Sequence, residues 1–262
     1  MFRIMEHNDD ISATGVAALA RGLELLRCFS PQEPELSNGE LATHSGLPKS
    51  TVSRLTRTLV ELGYLRHDAE RRRYRVGPSV LALGYSALAN LRMRDAARPH
   101  MQALADATHA LVSLATRDRL SMIYLENCRS ASSVTLRLNV GTQLPLVSSS
   151  IGRAFLAGLP EAERAYLLKQ LAVREGAGWA EQEASIAEEL RRYREQGYCL
   201  SLGGWNKDVN AAATPLAGAA GTDLLVLSIS GPAFAVTARQ LEEELAPRLV
   251  ALARHIEVQM AW

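Results

Sequence analysis

Cysteine is scarce in this sequence of 262 residues, with only Cys28, Cys128 and Cys199. They are isolated and odd in number, without a C-x-x-C pair or a cysteine–histidine pair at ligand spacing. That argues against a disulfide framework and a structural zinc. Each stands among apolar neighbours and is expected as a small buried hydrophobe. No metal and no cofactor are expected. Long apolar runs are missing too. The most apolar stretch, DLLVLSISGPAFAV, is interrupted by Gly231-Pro232 and is too short to span a bilayer. The opening MFRIMEHNDD turns acidic at once and has no apolar core of signal-peptide length, so a cytoplasmic chain with no membrane partner is expected. The catalytic signatures G-x-S-x-G, H-E-x-x-H, the P-loop and G-x-G-x-x-G are all absent, and SSSIGR holds a single glycine. An enzyme is not expected. Nor is there an excess of one charge: the net charge is +1, so any polyanion must be met by a local patch.

A chain of this length suggests two domains, each large enough for its own core. The segment from Ser45 to Val76 is the most informative. Pro48 suits the first position of a helix. Val52, Leu55, Leu59 and Leu62 then fall on one helical face. The opposite face carries Ser50, Ser53, Arg54 and Arg57, with Lys49 and Thr51 on the flanks. An ordinary amphipathic surface helix has the same pattern. Its neighbours point elsewhere. Upstream, Ser37 and Glu40 stand at capping-box spacing, with Leu36 and Leu41 placed as a hydrophobic staple, and Gly46 stops that short helix. Helix, tight turn and second helix make a helix-turn-helix. Downstream, YLRHD and RRRYRVG read as two strands around Asp68–Glu70, one side packing through Tyr74 and Val76 and the other cationic. From Ser45 to Gly77 there are eight Lys or Arg against three Asp or Glu, a footprint for a polyanion on a nearly neutral chain. Major-groove reading calls for Arg and hydroxyl side chains of this kind. Arg71, Arg72, Arg73 and Arg75 are expected to contact phosphate and the minor groove.

The run ELATHSGLPKSTVSRLTRTLVELGYLRHDAERRRYRVGPSVLALG resembles the winged helix-turn-helix of the IclR family of bacterial transcriptional regulators, and the likeness extends more weakly over the rest. The implied fold is α+β: a winged helix-turn-helix over residues 13–77, a linker helix over 78–98, and a GAF-like effector-binding domain over 99–262 on a mostly antiparallel sheet. Residues 1–12 are expected to be disordered. The first helix, TGVAALARGLELLRCF, is expected to turn Val16, Leu19, Leu23 and Leu26 toward the small core. The resemblance adds a part of the dimer contact. Pro99 is expected to kink or break the linker helix near Arg98, and Pro247 to bend the last helix.

Beyond the linker, ALVSLATRD, LSMIYLENC, SSVTLRLNVG, YCLSLGG, DVNAAATPL and DLLVLSISG read as strands, interspersed with helices. Ser148, Ser149 and Ser150 fall at a helix start, where N–H groups and the dipole favour a carboxylate; a plain N-cap explains any one of them equally well. Ser228 and Ser230 share one face of a strand. The resemblance implies an effector site at Leu144, Ser148, Ser149, Ser150, Ile151, Ser228 and Ser230. It also places Ser201 and Ala211 where well-studied relatives carry an acidic residue and a cysteine, so an effector larger than glyoxylate or pyruvate is expected, with Trp205 and Asn206 near it. The expected partners are a pseudo-palindromic double-stranded DNA operator, a small organic acid (aromatic acids included), and further copies of the chain as a homodimer or tetramer. The alternative is a DNA-binding protein whose second domain only supports structure and oligomerisation.

Overall fold

A computed structural model describes residues 16–131, 138–217 and 224–260. Residues 1–12 and most of SSVTLRLNVG, for which disorder and a strand are expected, lie outside the described residues. The chain divides into two compact units between Asn90 and Leu91.

The first unit runs α1 (Ala17–Arg27), β1 (Glu35–Ser37), α2 (Asn38–Ser45), α3 (Lys49–Glu61), β2 (Leu65–Asp68), β3 (Arg73–Val76) and α4 (Pro78–Ala89). The capping box forms: Ser37 Oγ accepts from the Glu40 N–H at 3.3 Å, and the Glu40 carboxylate accepts from the Ser37 N–H at 2.7 Å. Gly46, at φ 68, ends α2 in the left-handed region, where a side chain would be strained. Leu25, Cys28, Leu36, Leu41 and Val52 make the core, with Tyr74 packed on it. The ribbon has three strands, ordered β1-β3-β2 and antiparallel throughout.

Several expectations need correction here. α1 buries Gly22 and Leu25, while Val16, Leu19 and Leu23 are exposed. Leucines occupy two stripes of this helix, and periodicity alone does not say which faces the core. Pro48 is the N-cap of α3, with ψ 140, and lies outside the helix. Leu62 is its exposed C-cap, and the inner face closes instead on Thr56, whose hydroxyl donates to the Val52 carbonyl at 2.9 Å. Val76, expected to pack, is exposed.

The linker differs as well. α4 ends at Ala89, and α5 (Arg92–Thr108) passes through Pro99. A proline inside a helix costs about 3 kcal/mol. Burial of Ala97, Met101, Leu104 and Ala105 outweighs it, at about 1.5–3 kcal/mol for each large side chain. The break falls at Asn90, whose side chain turns back to the Ser86 carbonyl at 2.7 Å.

The second unit continues with β4 (Leu111–Asp118), β5 (Ser121–Cys128), β6 (Gln143–Pro145), α6 (Ser150–Gly158), α7 (Glu161–Glu175), α8 (Trp179–Gln196), β7 (Cys199–Leu202), β8 (Val209–Leu216), β9 (Leu225–Pro232) and α9 (Ala246–Met260). The strands form one antiparallel sheet in the order β6-β5-β4-β9-β8-β7. α5 and α9 cover one face around Met101, Leu227, Ile229 and Leu249. α6, α7 and α8 cover the other around Tyr124, Leu146, Phe155 and Val226. The fold class is α+β, as expected. The irregularity before α9 is a π-helical turn, Leu241–Leu245, rather than a bend at Pro247. There the Ala246 N–H reaches back to the Leu241 carbonyl, and Pro247 follows in the first turn of α9.

Candidate functional site

On the first unit, α3 presents Lys49, Ser50, Ser53, Arg54 and Arg57 to solvent, with Thr51 half-buried. Ser53 donates to the Lys49 carbonyl at 3.0 Å and accepts from Asn38 Nδ2 at 2.6 Å, which ties α2 to α3. Among the described residues no acid pairs with Arg54 or Arg57. These guanidinium groups are unspent, as direct base reading requires.

The ribbon turn is shaped by Asp68. One of its oxygens accepts the N–H groups of Glu70 and Arg71, both at 3.0 Å. The bond from Arg71 is the chief reason its carboxyl is held below the ordinary range. Arg71 is exposed with a loose pairing to Glu35 at 3.8 Å, and Arg72 sits at φ 54. Arg73 differs from its neighbours: it donates to the Glu35 carbonyl at 2.7 Å and to the Glu40 carboxylate at 2.9 Å. It therefore fastens the ribbon to the cap of α2. Arg75 lies directly across the ladder from Arg66, and both are exposed. Like charges opposed in a ladder repel, and an anion laid across them relieves that repulsion. Arg66 escaped the sequence reading because the partner strand was needed to see the pair.

On the second unit, Leu144, Ser149, Ser150, Ile151, Ser201, Ala211, Ser228 and Ser230 line one cavity, joined by Tyr124, Leu138, Trp205 and Val209. Ser148 contributes its carbonyl, which accepts from Ser201 Oγ at 2.9 Å, and does not line the cavity. Tyr124 was missed because the run MIYL in SMIYLENC is apolar at every position, and only the strand's alternating burial in the fold turns Tyr124 inward. Strand pairing brings these groups together. Ser201 faces Ala211 and Ala211 faces Ser230; two residues along β9, Ser228 faces Ser113 on one side and Ala213 on the other. The sheet thus offers a floor of small side chains beneath the start of α6.

The two ends of that floor differ. Ser149 is spent as the N-cap of α6, accepting from the Gly152 N–H at 3.1 Å and donating to the Pro145 carbonyl at 2.6 Å. The N–H groups of Ser150 and Ile151 find no acceptor among the described residues. Gly152 is required where the turn crowds it: a Cβ there would lie 2.0 Å from the Leu146 carbonyl oxygen. Arg153 holds the loop rigid, donating to the carbonyls of Val147 at 3.1 Å and Leu200 at 3.0 Å and to Ser185 Oγ at 2.8 Å. The hydroxyl of Ser230, in the row that leads to Ser201, and those of Ser228 and Ser113, one row farther along β9 and β4, are buried without a well-formed hydrogen bond. The Tyr124 phenol stands beside Ser228 and Ser113; burial pushes it up to about 12, and the two hydroxyls pull it partly back. The cavity is narrow, about 20 Å³, the room of a single water.

A winged helix-turn-helix followed by an α+β domain with a serine-lined pocket defines the class: a transcription regulator of two functional parts. Comparison with known proteins makes the family definite. The family model described as bacterial transcriptional regulator IclR C-terminal matches residues 85–258, and the IclR helix-turn-helix domain matches residues 18–69. The chain belongs to the IclR family of transcriptional regulators. It is 36% identical to the HTH-type transcriptional regulator TsaQ1/TsaQ2 of Comamonas testosteroni, over 95% of this chain and 90% of that one. It is similar to the crystal structure of an IclR family transcriptional regulator from Brucella abortus, with TM-score 0.85 and 45% identity over 94% of this chain and 93% of that one. An IclR homologue from Microbacterium hydrocarbonoxydans, crystallised with 4-hydroxybenzoate, shares the fold at TM-score 0.72 and 23% identity, over 93% of this chain and 99% of that one. No described helix is long and apolar enough to cross a membrane.

Proposed function

We propose that the chain is a homo-oligomeric regulator whose operator affinity is set by a small organic acid bound in the serine-lined cavity. Three buried serine hydroxyls on neighbouring strands carry the reading: Ser113, Ser228 and Ser230 make no well-formed hydrogen bond, with only the Tyr124 phenol beside the first two, and a packed core rarely leaves such groups so poorly satisfied. The carboxylate meets the N–H groups of Ser150 and Ile151 at the positive end of α6, and no lysine or arginine lines the cavity to compete. An aromatic body suits Leu138, Leu144, Ile151 and Trp205. No imidazole, carboxylate or amine lines the cavity to activate a serine, so binding rather than catalysis is its role. Trp205 lies between β7 and β8 on a loop with Gly203 at φ 67, and is the wall that yields when ligand enters.

In the same reading Lys49, Ser50, Thr51, Ser53, Arg54 and Arg57 face the major groove. Arg71, Arg72 and Arg75, with Arg66, take phosphate, and Arg73 holds the ribbon in place for them. Val16, Leu19 and Leu23 on α1, and Leu81, Leu83 and Tyr85 on α4, are exposed apolar surface that a second copy covers. The operator is then pseudo-palindromic, with half-sites spaced by helical turns.

A second reading, in which the α+β domain only supports assembly, is favoured by the narrowness of the cavity. A thermal-shift screen of organic acids separates the two. Ligand at 100 times its Kd stabilises by about 2.7 kcal/mol, whereas a purely structural domain gives no shift with any acid.

A further inference from the structure

We propose that Tyr124, backed by Ser113 and Ser228, forms a second polar subsite that selects acids bearing a neutral hydroxyl or carbonyl about one ring length from the carboxylate. The proposal rests on the acid-binding reading of the cavity and adds what the far end recognises. Ser113, Ser228 and Ser230 are 0%, 1% and 2% exposed, and none has a well-formed hydrogen bond. Ser113 and Ser228 are cross-strand partners, so β4 and β9 bring their hydroxyls side by side. Tyr124 reaches the same place from β5 and lines the cavity itself. The phenol stays protonated at neutral pH, since burial raises it to about 12. A phenol and two serines both donate and accept, and no cation stands with them among the lining residues. Such a cluster suits a neutral polar group and rejects an anion.

The order of these groups along the sheet suits a two-ended ligand. Ser230 belongs to the cross-strand row that ends at Ser201, and Ser201 is bonded to the loop that starts α6. Ser228 lies two residues along β9, roughly 7 Å away at the strand repeat, beside Tyr124. That is the reach of a benzene ring with substituents at opposite ends. A carboxylate at α6 therefore carries a para substituent to the phenol. A site built to bond a hydroxyl discriminates strongly against the analogue without it, because its own polar groups are then left unpaired.

The test is calorimetric titration of the full chain with benzoate and with 4-hydroxybenzoate, on wild type, Tyr124→Phe and Ser113→Ala. Wild type is expected to prefer the hydroxylated acid by at least about tenfold. Both variants should lose most of that preference. Should Tyr124→Phe melt early, Ser113→Ala carries the comparison. Equal binding of the two acids by wild type, or a preference that survives both substitutions, overturns the subsite and leaves the acid site standing. Binding of neither acid overturns the acid-site reading and the subsite together.

Discussion

Arg72 sits at φ 54 at the turn of the ribbon, where glycine would rest without strain. A residue with a Cβ in that region pays about 1–2 kcal/mol. Glycine's extra freedom in the unfolded chain takes back about 0.4–1 kcal/mol. Arg72→Gly should therefore leave stability unchanged or slightly higher. If the side chain meets phosphate, the slope of log K against log salt should flatten by about one unit. A slope equal to wild type would take Arg72 off the DNA. In the proposed reading Arg54 and Arg57 meet bases instead. Changing either to Ala should weaken specific binding by about 1–3 kcal/mol and relax preference at one operator position. Equal losses on operator and random DNA would make them phosphate contacts.

Between α2 and the ribbon, Glu40 is the joint. Bonds from the Ser37 N–H and hydroxyl, with Arg73 adding to them, hold its carboxyl at about 2, against an ordinary 4.5. With the folded value depressed, this contribution is intact above about pH 4.5 and is lost as pH falls toward 2. Glu40→Gln should lower the melting temperature of the full chain at pH 7 and converge on wild type near pH 2. A variant that melts with wild type at pH 7 would show the joint to be idle. The capping box was legible in the sequence because cap and carboxylate are three residues apart. β1 was not: three residues make a strand only once β3 lies beside them. The inner face of α1 was also hidden, since its leucines fill two stripes and only packing chooses between them. Pro99 misled for a related reason, as burial on the sheet outweighed one missing helical bond.

Across the whole molecule, the cavity depends on segments from β5, α6, β7, β8 and β9, which no local pattern joins. Resemblance to the family named most of its serines. It did not show that Ser149 is spent as a cap, that Ser148 offers only its carbonyl, or that Tyr124 stands beside Ser228. The central claim is that ligand in this cavity governs a DNA contact made by the other unit. The direct measurement is operator binding by fluorescence anisotropy with and without an acid that shifts the melting curve, on wild type and on Ser228→Ala/Ser230→Ala. The acid should change wild-type affinity by about 5–150-fold, the usual range of coupling between two sites. The double variant should keep the ligand-free operator affinity within about threefold and lose the response, because the proposed sensing and DNA-contact surfaces belong to separate units. A variant that melts early yet responds in full would contradict the account and return these serines to the fold.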